Sequence, residues 1–193
     1  RLKTGVEALK ALYPGHEFLP LTDSGKAFEK EAALCAGLGF RGRNSLVIHP
    51  LLGSYFFIGL ILSTALMSEN SSHTLSASGC GECRRCIQVC PAGALDELGL
   101  NAAKCVSYLT QKKGEAEKPK NWRQSFWGCD LCQMVCPHNL HRSVRTGEGF
   151  SFKFDLKILK TPTLSPAEFK KAAAPLALKW GGQKILIRNF QVL

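Results

Sequence analysis

Four cysteines separated by two, two and three residues and closed by a proline constrain this chain more than any other feature. They are Cys80, Cys83, Cys86 and Cys90, followed by Pro91. A second set is sparser: Cys129, Cys132 and Cys136 precede Pro137, and Cys105 stands upstream. Secreted disulfide scaffolds are usually smaller and less regularly spaced, so thiolates holding metal in a reducing, cytosolic setting are the better reading. The ninth cysteine, Cys35, lies in the apolar run Ala32–Leu38 and is expected to be a small buried core residue.

The spacing selects the metal chemistry. Three thiolates two residues apart can wrap an iron–sulfur cubane corner by corner, while backbone N–H groups point at the sulfides. A fourth cysteine three residues on, followed by proline, turns away and serves the other cluster, as in two-cluster ferredoxins. That rule assigns Cys80, Cys83, Cys86 and, crosswise, Cys136 to a first [4Fe–4S] cluster. A second then takes Cys90, Cys105, Cys129 and Cys132. Zinc held by paired CxxC units is the competing reading, but it leaves the four-ligand run and its proline unexplained. Two clusters held crosswise move single electrons, so a ferredoxin-like carrier without chemistry of its own is one functional reading.

Charge points to a partner. Residues 1–103 carry nine basic and nine acidic side chains, whereas residues 104–193 carry sixteen and six, which accounts for the whole net charge of +10. Such asymmetry suggests a polyanion, nucleic acid first and an anionic membrane surface second. Lys112, Lys113, Lys118, Lys120 and Arg123 share one loop with Trp122, where phosphates could be neutralised and a base stacked. A solvated loop with a buried Trp is the plain alternative. The apolar stretch Ser54–Met67 is fourteen residues long. A membrane span needs ~20, so a buried strand or core helix is expected there instead. Arg1–Lys10 has no apolar segment and does not read as a signal peptide.

Along the chain, helices are expected at Arg1–Tyr13 and Lys26–Ala36, the second closed by Gly37-Leu38-Gly39. Glu17–Leu21 and Ser45–Ile48 read as strands, and Tyr55–Leu62 as a buried strand or a strand followed by a helix. Glu69–Ser78 reads as a linker. Ser165-Pro166-Ala167-Glu168 has the form of a capping box with Pro at the first helical position, opening a helix to about Ala174. Gln183–Phe190 reads as another. The fold class is α+β, with residues 1–78, 79–145 and 146–193 as successive parts.

Several stretches, taken in order, resemble the epoxyqueuosine reductase family. They are Thr22–Gly25, Ala36–Asn44, Gly53–Gly59, Lys104–Thr110 and Phe126–Gln133, with eight cysteines in register. The resemblance implies a cobalamin enzyme related to reductive dehalogenases, which reduces epoxyqueuosine to queuosine at the tRNA wobble position. Electrons would pass through the two clusters from a donor such as a flavodoxin or ferredoxin. It implies Asp23 as the acid that protonates the departing oxygen. An Asp just ahead of a helix can equally be an N-cap. It further implies cobalamin contacts by Asp23, Asn44, Val47, Ser54, Ile58, Ser107, Tyr108 and Asp130. Relative to the family the chain looks truncated at both ends. Residues 1–78 would then be a partial cobalamin-binding domain, 79–145 a ferredoxin-like bis-[4Fe–4S] module, and 146–193 the start of a helical region. A cytoplasmic monomer with tRNA as partner is expected.

Overall fold

The computed structural model describes residues 1–23, 27–68, 79–114, 116, 125–140, 165–173 and 182–190. The linker expected at 69–78 lies outside them, as do Lys118, Lys120, Trp122 and Arg123. Helices and short antiparallel strands mix as an α+β chain requires, in two compact units, Arg1–Cys83 and Arg84–Leu193. Among the described residues no helix is long and apolar enough to cross a membrane.

In the first unit, helix α1 (Leu2–Leu12) packs on strand β1 (Phe18–Leu21). Strand β1 pairs antiparallel with β4 (Leu60–Ser63), from Phe18 opposite Ser63 to Leu21 opposite Leu60. The Thr64 hydroxyl closes the open end by accepting from the Glu17 N–H at 2.9 Å. Helix α2 (Glu29–Cys35) is shorter than the sequence suggested; its N-cap is Phe28, which makes no side-chain capping bond. Its C-terminus follows the Schellman pattern. The Leu38 N–H reaches the Ala33 carbonyl at 2.9 Å and the Gly37 N–H reaches Leu34 at 3.0 Å, with Gly37 at φ 68°. Gly39 is required for a different reason. A Cβ there would sit 2.2 Å from the Ile48 carbonyl oxygen, because β2 (Phe40–Arg41) runs directly against β3 (Val47–Ile48).

Ala33, Leu34 and Val47 form the core of this unit, with Phe56 and Ile58 packed on it. Two sequence expectations fail here. Cys35 is exposed, because α2 buries only Ala33 and Leu34 and turns the next residue outward. The apolar stretch Ser54–Met67 is not a buried element either: among the described residues β4 pairs with β1 alone, and Phe57, Leu62 and Leu66 are exposed. Apolar composition raised the prior for burial, but a two-stranded ribbon has too few neighbours to cover both of its faces.

The second unit starts with helix α3 (Arg85–Val89) and the hairpin β5 (Leu95–Asp96) and β6 (Gly99–Leu100). A 3₁₀ turn (Ala102–Lys104) and helix α4 (Val106–Gln111) follow. Helix α5 (Leu131–Met134) packs against α3, which brings the segment carrying Cys86 beside the one carrying Cys132. Helix α6 (Pro166–Ala172) carries the full capping box. The Ser165 hydroxyl accepts from the Glu168 N–H, and the Glu168 carboxylate accepts from the Ser165 N–H at 2.9 Å. Helix α7 spans Gln183–Phe190, as the sequence indicated. Phe169, Ala173 and Leu186 from α6, its end and α7 make a second core, on which Phe126 and Trp127 pack.

Candidate metal centre

Each cysteine sits where a local turn presents it. Cys83 follows a turn in which its N–H donates to the Cys80 carbonyl at 3.0 Å. Cys86 lies within α3, and Cys90 is its C-cap, so the chain changes direction at the residue expected to cross to the other cluster. Cys105 is the N-cap of α4. Gly128, at φ 74°, turns the chain into Cys129. Cys132 lies in α5 and Cys136 just beyond it, buried. The Cys136 carbonyl accepts from Asn139, whose side chain donates to the Gln133 carbonyl at 2.8 Å.

Within the second unit the thiols crowd one another. Burial pushes the Cys129 thiol up from its ordinary value, and the charges of Cys105, Cys90 and Asp130 add to the rise against a lowering hydrogen bond from the Leu131 backbone. Cys132 is pushed up to about 12, first by burial and then by Cys129, Cys86, Cys105 and Asp130. Cys90 and Cys105 thus lie near Cys129, and Cys86, Cys105 and Cys129 near Cys132, so thiols of both motifs meet around these two raised groups, whose thiolates a bound cation would favour. Among the described residues no three Cys, His, Asp or Glu side chains close on a point as a single ion requires. The soft all-thiol donor set suits iron–sulfur clusters. Backbone amides also reach sulfur: Ala94 N–H to Cys90 Sγ at 3.2 Å, and Arg43 N–H to Cys80 Sγ at 3.5 Å. Such bonds stabilise cluster ligation and tune its potential.

The other expected site residues have varied surroundings. Asp23 is exposed in the left-handed region at φ 45°, ahead of α2 and not its N-cap. Asn44 is buried, and its Oδ1 turns back to accept from the Leu46 N–H at 3.2 Å. Val47 is in the core and Ile58 packs against it. Ser54 is buried. Ser107 Oγ lies 3.0 Å from the Gln111 side-chain amide, Tyr108 is half-exposed, and Asp130 accepts from the Gln133 amide at 2.6 Å. Lys112 and Lys113 are exposed. Sequence reasoning missed Arg43 as a neighbour of the first motif, although it stands in a stretch already singled out. It also missed Thr110, Arg188 and Asn189, for which spacing offers no signal.

A paired-helix arrangement of cysteine motifs with amides aimed at sulfur defines an iron–sulfur protein of the double-cluster kind. Residues 79–139 match the family of 4Fe-4S double cluster binding domains. Over almost its whole length the chain is a relative of the epoxyqueuosine reductases. It is 33% identical to that of Francisella cf. novicida over 96% of this chain and 53% of that protein. The structure of the Streptococcus thermophilus epoxyqueuosine reductase superposes with a TM-score of 0.80 at 31% identity, covering 97% of this chain and 50% of that one. A further epoxyqueuosine reductase, solved with a tRNA-Tyr epoxyqueuosine-modified stem loop, gives a TM-score of 0.81 at 27% identity over 97% of this chain and 52% of its own. The chain thus spans about half the length of these relatives.

Proposed function

We propose that this chain is the cluster-bearing part of an epoxyqueuosine reductase, delivering electrons for reduction of epoxyqueuosine to queuosine in tRNA. The observation that carries the reading is the double-cluster domain at 79–139 inside a chain that matches about half the length of such a reductase over 96% of its own. Cys80, Cys83, Cys86 and Cys136 hold the first cluster by motif spacing, and Cys90, Cys105, Cys129 and Cys132 hold the second. The nearness of Cys90 and Cys105 to Cys129, and of Cys105 and Cys129 to Cys132, supports the second set. An external one-electron donor such as a flavodoxin or ferredoxin loads the clusters of a cytoplasmic monomer. The three-part division at 78/79 and 145/146 belongs to the same proposal.

Cobalamin enters through the similarity. When bound, it supplies a strongly reducing cobalt. The side chains here fit it only in part. Val47 and Ile58 are spent on the core and Asn44 on its own turn, so contact there falls to backbone and to Ser54. Ser107, Tyr108 and Asp130 are the proposed contacts from the cluster module. Asp23 is the proposed acid. Its exposed carboxyl and left-handed backbone, a conformation that non-glycine residues adopt at some cost and often at functional sites, suit a residue presented to substrate. Lys112, Lys113, Lys118, Lys120 and Arg123, with Trp122, are the proposed tRNA contacts. The test is an anaerobic assay of the full-length protein with epoxyqueuosine-containing tRNA, cobalamin and a strong reductant. Queuosine formed only when cobalamin is present is the expected result. Clusters that exchange electrons in a protein unable to bind cobalamin would establish a ferredoxin-like carrier instead.

A further inference from the structure

Helix α7 reaches back to the segments that carry second-cluster cysteines. Asn189 is fully buried. Its Nδ2 donates to the carbonyls of Thr110 and Phe126, each at 2.7 Å. Its Oδ1 accepts from Arg188 Nε at 3.1 Å and Nη2 at 3.0 Å, so the amide can face only one way. The Arg188 guanidinium also donates to the carbonyls of Leu109 and Lys112, both at 2.9 Å, to that of Gly114 and, more weakly at 3.4 Å, to that of Thr110. These are carbonyls at and just past the end of α4, which a helix cannot satisfy by itself. A cation placed there is favoured by the helix dipole as well.

The two carbonyls that Asn189 bridges belong to different ligand segments. Thr110 lies in the last turn of the helix that Cys105 caps, and Phe126 stands three residues ahead of Cys129. Thr110 adds a bond of its own. Its buried hydroxyl accepts from the Gly128 N–H at 3.0 Å and donates to the Ser107 carbonyl at 2.9 Å. Three hydrogen bonds therefore tie the Cys105 helix to the Cys129 segment, and two of them come from one side chain sixty residues beyond the cysteine they position.

The geometry points to Asn189 as a positioning residue for the second cluster. By holding the Thr110 and Phe126 carbonyls at a fixed separation it sets the spacing of Cys105 and Cys129, and Arg188 keeps its amide turned the right way. Asn189 acts through the ligand segments and does not itself touch the cluster. The inference rests on the ligand set proposed above. Its physical basis is general: buried carbonyls that lose their donor must move or find another, and ligands carried on them move too.

The test compares full-length wild-type protein with Asn189→Leu, which keeps the branched heavy-atom shape and removes every side-chain polar contact, and with Arg188→Gln, a milder change at a partly exposed site. Each is reconstituted anaerobically, and each cluster is followed by its EPR signal and by redox titration. A Cys132→Ser protein identifies the signal that belongs to the second cluster. The expected result for Asn189→Leu is a shifted potential and broadened signal for the second cluster, or loss of half the iron, with the first cluster and the far-UV circular dichroism unchanged. Arg188→Gln should shift the same signal in the same direction, by less. An Asn189→Leu protein with both potentials and both signals intact overturns the inference. So does one that loses both clusters along with its helicity, since Asn189 would then serve general stability. Wild-type protein that takes up only one cluster would instead overturn the ligand assignment beneath it.

Discussion

The backbone N–H of Arg43 donates to the sulfur of Cys80 at 3.5 Å, and the guanidinium of the same residue donates to the Gly81 carbonyl at 2.9 Å. One residue of the β2–β3 turn therefore braces both the ligand atom and the loop that presents it. Arg43→Ala keeps the amide but removes the brace on Gly81 and a positive charge beside the motif. The expected outcome is roughly 10-fold or more faster release of iron to a chelator, with a lower potential for the cluster that Cys80 is proposed to hold. Iron release and redox titration read it. Unchanged kinetics and potential would show that Gly81 is held by other means.

The raised thiols predict a pH dependence for the metal-free protein. In the folded apo chain the Cys132 thiol stays protonated until about 12, against an ordinary 9.0, with burial the main cause and neighbouring thiolates second. Unfolding frees it to ionise at its ordinary value. The apo fold is therefore unaffected by this group below 9.0, and it loses stability as pH rises from there through about 12. Cluster assembly has the opposite slope, because iron must displace those protons and uptake falls as pH falls. Thermal melts of apo protein above and below pH 9.0 should separate, while holo protein, whose thiolates are bound to iron, should change much less over the same range.

Much of the local structure was legible because it rests on short-range chemistry. The capping box at Ser165 and Glu168 and the Gly37 helix stop each follow from a few adjacent residues, and both are present. The cysteine motifs were legible for the same reason, since a cluster dictates spacing along the chain. Burial was less so. Cys35 and the Ser54–Met67 stretch looked like core by composition, yet what covers a residue is decided by elements far away in sequence. Asn189 was illegible outright, because its carbonyl partners on Thr110 and Phe126 are backbone atoms that leave no mark on residue identity.

The capping box offers a test of how far the C-terminal helices stand apart from the clusters. Ser165→Ala removes the hydroxyl that accepts from the Glu168 N–H and should cost about 1 kcal/mol of stability. Glu168 is held below the usual carboxylate range by its bonds to Ser165. Its contribution is thus present above the ordinary carboxylate value and fades as pH falls through the depressed one. Chemical denaturation checks the first, and its pH dependence the second. The cluster spectra should not change, because the hydrogen bonds lost run only from Ser165 to Glu168 of the same helix turn.

Binding of tRNA by the full-length protein should be salt-dependent, with Lys112 and Lys113 among the contacts. Replacing both with Glu is expected to weaken binding and to lower the slope of log affinity against log salt by roughly one per lysine. Titrations at three salt concentrations measure it. An unchanged slope would move the interface elsewhere on the basic half of the chain.

The most direct measurement is the iron and acid-labile sulfide content of the anaerobically reconstituted protein, read together with its Mössbauer spectrum. The eight thiolates proposed as ligands should hold about eight iron and eight sulfide per chain, all as [4Fe–4S], and serine at Cys129 should remove about half. About four iron in the wild-type protein, or zinc in place of iron, would contradict a two-cluster electron path through this chain.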